Sequence, residues 1–121
     1  MTLRDRLHLI KREFLEVEFP PPYPVRLRVE RLSSAERAES LSGVYYYAYR
    51  GNPTGLIRIA KGLSRDISVT ILNHEWAHVV TELHPGLERH RAEDHDSIFY
   101  ARLGEIERGY FEWLESNPAL R

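Results

Sequence analysis

The chain contains no cysteine. Its absence excludes disulfides, a thiol nucleophile and any Cys-ligated zinc ribbon, and leaves histidine and carboxylates to hold a metal. Long apolar runs are missing too. Arg4, Asp5 and Arg6 interrupt the start of the chain, so no signal peptide is expected, and no stretch approaches the roughly 20 apolar residues of a membrane span. There is no run of Lys or Arg, and the formal net charge is −1, which argues against a nucleic-acid groove. Repeats and low-complexity segments are absent, and no linker divides the 121 residues. One domain spanning residues 1–121 is expected, in a soluble, cytoplasmic protein without a membrane partner.

What the chain does contain is His74-Glu75-Trp76-Ala77-His78, an H-E-x-x-H pattern. On a helix, residues four apart lie on one face, one turn apart, so His74 and His78 can direct two imidazoles at one metal ion. Glu75 beside them is placed to hold and deprotonate a water at that metal, which is the division of labour of a zinc protease. The pattern counts only in helical context, and the context is present. Residues 66–73 lead in without Gly or Pro; Ile67, Ile71 and Glu75 form one row, and Leu72, Trp76 and Val80 another. Ser64 or Asp66 can cap the start, and Pro85-Gly86 ends the helix. A charged Glu on an otherwise apolar helix argues against two histidines that merely fill a core, because an unpartnered buried carboxylate is costly.

The rest of the chain reads as an α+β frame around this helix. A first helix, Thr2 to Glu18, carries Leu3, Leu7, Ile10, Phe14 and Val17 on one stripe, with Thr2 and Asp5 as a capping pair. Pro20-Pro21-Pro22-Tyr23-Pro24 stops it; Pro20 to Tyr23 fit the P-P-x-Y pattern read by WW domains, but a stiff connector is the preferred reading. Val25 to Glu30 alternates apolar and charged residues, as a half-buried strand does. Ser33 and Glu36 are spaced as a capping box within a turn or loop. Gly43 to Arg50 is dense in β-formers, residues 51–55 are turn chemistry, and Leu56 to Ala60 completes an antiparallel hairpin. The tyrosines of this hairpin are read as sheet residues with hydroxyls at the rim rather than as a stacking surface. A last helix opens at His95-Asp96-Ser97 and runs to about Glu115, with Phe99, Leu103, Ile106, Tyr110 and Trp113 repeating the stripe; Gly104 and Gly109 weaken it or admit close packing. The expected fold is an N-terminal helix, a small three-stranded and largely antiparallel sheet, the H-E-x-x-H helix and a C-terminal helix.

A catalytic zinc usually takes three protein ligands and keeps one position open. His84 lies in the register of the longer metzincin motif, but Thr81 stands where that motif has its turning Gly, and the only methionine is Met1. His90 sits in mid-loop between Arg89 and Arg91. His95 is preferred: it stands at the first turn of the last helix, between Asp94 and Asp96, either of which could take its second N–H. His84 and a carboxylate such as Glu93 stay open as alternatives, and Glu82, one turn beyond His78, is a candidate supporting residue.

His74-Glu75-Trp76-Ala77-His78 followed by His95-Asp96-Ser97-Ile98-Phe99-Tyr100 resembles the minimal zincins of the SprT-like and WLM type, in which a third His precedes an aromatic residue on the next helix. It also resembles short zincin-like proteins of phages and mobile elements. The resemblance spans about Val44 to Leu103, with two departures: no Gly follows His95, and no Cys-rich ribbon follows the core. It implies a Zn²⁺-dependent metallopeptidase acting on a protein or peptide, with the substrate added as a strand along a sheet edge, placed at Leu56–Ala60. Bottom-up, the same residues give zinc on His74, His78 and His95, Glu75 as general base, and an oxyanion donor among Tyr100, His90 and Arg91. The rival from another class is a zinc-stabilised protein-binding module with little or no hydrolytic activity.

Overall fold

The computed structural model describes residues 1–39, 41–82 and 95–121. Among these residues it is an α+β fold of four helices and one three-stranded sheet. Helix α1 (Leu3–Ile10) opens on the expected capping box: the Asp5 N–H donates to Thr2 Oγ1 at 3.1 Å, and the Thr2 N–H to Asp5 Oδ2 at 3.4 Å. The helix continues through a π-helical turn (Lys11–Leu15) and one last turn (Glu16–Glu18). A π turn holds one residue more than an α turn and rotates everything after it. Hence Leu15, outside the predicted stripe, is buried beside Phe14, and Val17, within that stripe, is 65% exposed.

Strand β1 (Val25–Glu30) buries alternate residues as its pattern requires. Helix α2 (Ser33-capped, Ser34–Ala38) forms because Ser33 and Glu36 close their capping box in both directions. Strands β2 (Gly43–Tyr46) and β3 (Gly55–Ala60) make the antiparallel hairpin, and β1 joins β3 in parallel, so the order is β1-β3-β2. Antiparallel pairing is therefore confined to the hairpin, because α2 carries the chain over before β2 begins. The second strand is shorter than its β-forming run. After Tyr46 the Ala48 N–H donates to the Tyr23 hydroxyl at 3.1 Å, and Tyr49 and Asn52 exchange backbone bonds of 2.9 and 2.8 Å across a tight turn.

Helix α3 (Arg65–Thr81) is capped by Ser64, whose Oγ accepts the Ile67 N–H at 3.2 Å; Asp66 plays no such part. The inner face of the sheet packs on it through Val25, Leu27, Val29, Tyr45, Ile57 and Ile59, and α1 closes the far side. Trp76 is fully buried and its Nε1–H donates to the Phe19 carbonyl at 2.9 Å, tying the central helix to the chain reversal after α1. Helix α4 (Ser97–Ser116) packs along α3. Gly109 lets it approach α1: a Cβ there would stand 3.3 Å from the Phe14 ring. Gly104 has open space around it and serves no such contact. No helix among the described residues is long and apolar enough to cross a membrane.

Candidate metal centre

Two elements deliver the three histidines. α3 is apolar enough to be buried along most of its length, so His74 and His78, one turn apart, are held rigidly on the side that the sheet leaves open. His95 immediately precedes α4, and Asp96 fixes its place: the Asp96 Oδ1 accepts the Phe99 N–H at 3.0 Å and caps the helix. Asp96 is thus employed on the backbone directly after the ligand position. Asp94, Glu93, His84, His90 and Arg91 lie outside the described residues.

The ring nitrogens converge. His95 Nε2 lies 3.1 Å from His74 Nε2 and 3.2 Å from His78 Nε2. One imidazole nitrogen offers either one proton or one lone pair, so two nitrogens at hydrogen-bond distance from the same atom also suit a shared cation. Metal–nitrogen bonds of about 2.0–2.1 Å in a tetrahedral site set ligand nitrogens about 3.3 Å apart, close to the spacing found. These three residues could hold a metal ion. Burial, followed by the neighbouring His95, lowers the His74 pKa below the ordinary imidazole range, which favours the neutral form that ligates.

Phe99 supports the cluster. Fully buried, its ring stacks on His78 with centroids 4.3 Å apart and meets His74 and His95 edge-on at 4.9 Å each. One rigid ring therefore restricts the rotamers of all three histidines. The aromatic residue four positions after His95 was readable as part of the motif; its contact with every ligand was not.

Glu75 is 8% exposed and has no hydrogen-bond or ion-pair partner among the described residues. Burial alone pushes its carboxyl up to about 7. Glu82 goes elsewhere. It is completely buried, and its Oε2 accepts from the hydroxyls of Tyr23 and Tyr45, the latter at 3.3 Å. The tyrosine of the P-P-x-Y pattern is thereby turned inward to anchor the end of α3. Tyr100 is more than half exposed and is not among the residues lining the cleft.

That cleft has a volume of about 650 Å³. One side is His74, Glu75, His78 and His95; the other is β2 with Glu39, Leu41, Tyr47 and Tyr49. β3 is the middle strand, paired on both sides, so Leu56–Ala60 cannot accept an added strand. The edge that borders the cleft is β2. The Ala60 N–H donates to the Ser42 carbonyl at 2.8 Å, and Gly43 is opposite Ile59. Alternation along an antiparallel ladder then turns the backbone groups of Val44 and Tyr46 toward β3 and those of Gly43 and Tyr45 toward the outer edge, which no strand among the described residues covers.

Comparison with known protein families, with curated proteins and with solved structures finds no match to this chain. The likeness to minimal zincins accordingly rests on the motif, and the chemistry must be argued from the residues themselves.

Proposed function

We propose that the chain is a zinc-dependent peptidase. The observation that carries this reading is the convergence of three imidazole nitrogens beside the buried Glu75 carboxyl, in a cleft that is also bordered by β2, a strand with one edge unpaired among the described residues. An all-imidazole, three-nitrogen set suits Zn²⁺ and leaves one coordination position for the reaction. Zinc bound there would supply a Lewis acid and lower the pKa of water toward neutrality.

The remaining work falls to the protein. His74, His78 and His95 hold the ion, with Phe99 keeping their rings in place. Glu75, with a carboxyl near 7, is poised to accept a proton from the attacking water and return it to the leaving amine. The outward N–H and C=O groups of Gly43 and Tyr45 can pair with an extended peptide and lay its backbone along the histidine cluster. The proposed substrate is therefore a protein or peptide segment bound as a strand.

Glu75→Gln tests the reading. The variant keeps all three ligands and the side-chain shape, so it retains zinc and a folded structure. Its peptide hydrolysis falls by at least about 100-fold, the contribution of a positioned general base. A variant that hydrolyses as fast as the wild type refutes the role of Glu75. Zinc retention without hydrolysis in the wild type would make the chain a zinc-stabilised binding module instead.

A further inference from the structure

The wall opposite the histidines gives the cleft a chemical preference. We infer that the cleft selects peptide segments carrying a large apolar or aromatic side chain beside the scissile bond, and discriminates against acidic ones; this inference rests on the peptidase reading.

The argument starts from what the wall exposes. Leu41, Val44, Tyr46 and Tyr49 line it and keep exposed surface, whereas Tyr45, which also borders the cleft, is 3% exposed with its ring in the core. The hydroxyls of two of these tyrosines are engaged away from a ligand. Tyr46 donates to Glu36 Oε2 at 2.7 Å, and Glu36 is itself held by Arg58 and by the Ser33 N–H. Tyr45 donates to Glu82 within the cluster that includes Tyr23. With its hydroxyl taken up, the exposed Tyr46 ring is held in place and offers a carbon face rather than a polar tip, and buried Tyr45 fixes the strand beneath it. Tyr49 is 61% exposed, and its backbone is fixed by the paired bonds to Asn52. The wall is therefore apolar and ordered before any ligand arrives, so little side-chain entropy is lost on binding.

Charge points the same way. Among the described residues no Lys or Arg lines the cleft, and the acidic residues there are Glu75 beside the histidines and Glu39 on the wall. Away from the metal position, an Asp or Glu side chain lying against the wall would meet the Glu39 carboxylate and, among the described residues, no Lys or Arg. Size is also consistent. A cleft of about 650 Å³ lies within the range of sites that enclose a ligand of several side chains.

The test uses zinc-loaded protein and quenched-fluorescence peptides with one alanine–serine frame and a single variable residue, Phe, Leu, Ser or Asp, with cleavage positions read by mass spectrometry. The Phe and Leu peptides are expected to show kcat/KM about 10–100-fold above the Ser and Asp peptides, with cleavage next to the variable residue. Tyr49→Ser should cut that preference at least about threefold without changing zinc content. In parallel, fluorescence anisotropy with zinc-loaded Glu75→Gln should rank binding of the same peptides in the same order. Cleavage by the wild type at equal rates for Phe and Asp overturns the inference and leaves the peptidase reading standing. Ranked binding without any cleavage supports the apolar cleft and overturns the peptidase reading. Neither binding nor cleavage overturns both.

Discussion

Removing and restoring the metal should change the stability of this domain by an amount that can be worked out in advance. The three Nε2 atoms are brought together only in the folded chain: His74 and His78 by one turn of α3, and His95 from across a long connection at the start of α4. An unfolded chain has no such site, so the metal binds the native state and stabilises it by mass action. At free zinc of about 100 times Kd, the gain is about 2.7 kcal/mol. An unfolding entropy of about 2.1 cal/mol/K per residue, over 121 residues, gives about 0.25 kcal/mol/K. Zinc should therefore raise Tm by about 10 °C over chelator-treated protein, read by calorimetry or circular dichroism. His95 is exposed, so His95→Ala should leave the metal-free Tm within about 2 °C of the wild type. It should nevertheless abolish most of the zinc-dependent rise at the same free zinc, because only the two helix ligands remain. A wild type whose Tm ignores zinc, or a His95→Ala protein that keeps the whole rise, would refute the three-histidine site.

Three other outcomes follow from particular contacts. Phe99→Leu should lose about 1 kcal/mol of metal-free stability as a volume-reducing core change, and weaken zinc binding about 10-fold because the ligand rings lose their common support; competition with a chromogenic chelator checks the second effect, and unaltered affinity would deny Phe99 its positioning role. Gly43→Ala would drive a Cβ into Ile71 on α3, one turn before Glu75, so urea unfolding should show a loss of about 1–3 kcal/mol; a neutral result would refute the close apposition of β2 and α3. Burial raises the Glu36 carboxyl, but the Ser33 N–H, the Tyr46 hydroxyl and Arg58 outweigh it and bring it down to about 2. A depressed carboxyl stabilises the fold above its unfolded pKa, so up to about 3 kcal/mol should be lost as pH falls from about 4.5 to 2, and Glu36→Gln should flatten that limb of the acid titration.

Much of this frame is written locally in the sequence. Both capping boxes, the alternation of β1 and the H-E-x-x-H helix depend on residues within one or two turns of each other, and each forms where its pattern lies. His95 could be singled out because a ligand at the start of a helix is positioned by the helix itself. The departures arise where distant elements decide. The π turn in α1 exchanges Val17 for Leu15, and no stripe of fixed period can show that. Local β propensity extends past Tyr46, but the strand ends where the Tyr23 hydroxyl takes the Ala48 N–H. Strand order has no signature in a hairpin, so the parallel docking of β1 on β3, and with it the assignment of the cleft edge to β2, became visible only in three dimensions. Tyr45 and Tyr46 were legible as strand; that Tyr46, Tyr47 and Tyr49 border the cleft beside the three histidines depends on that same strand order.

Glu75 offers a way to separate a catalytic from a structural origin for the motif, using metal-free protein alone. Burial raises its carboxyl from 4.5 to about 7, so the native state holds a proton there that the unfolded state has released. Between pH 4.5 and 7 the native state binds more protons, and stability therefore falls as pH rises through that window, reaching a deficit of up to about 3 kcal/mol above it. Glu75→Gln removes the titration while keeping the shape. In chelator-treated samples the variant should match the wild type near pH 4 and exceed it by about 1–3 kcal/mol at pH 8, measured by urea unfolding at each pH. A residue retained for structure would behave in the opposite way, and its replacement would destabilise the fold at pH 8. The motif would then be a core feature, and the convergence of the histidines would need another explanation. Gain of stability on loss of Glu75, together with the zinc-dependent rise in Tm, is the pattern expected of a group that folding disfavours and the chemistry of the cleft requires.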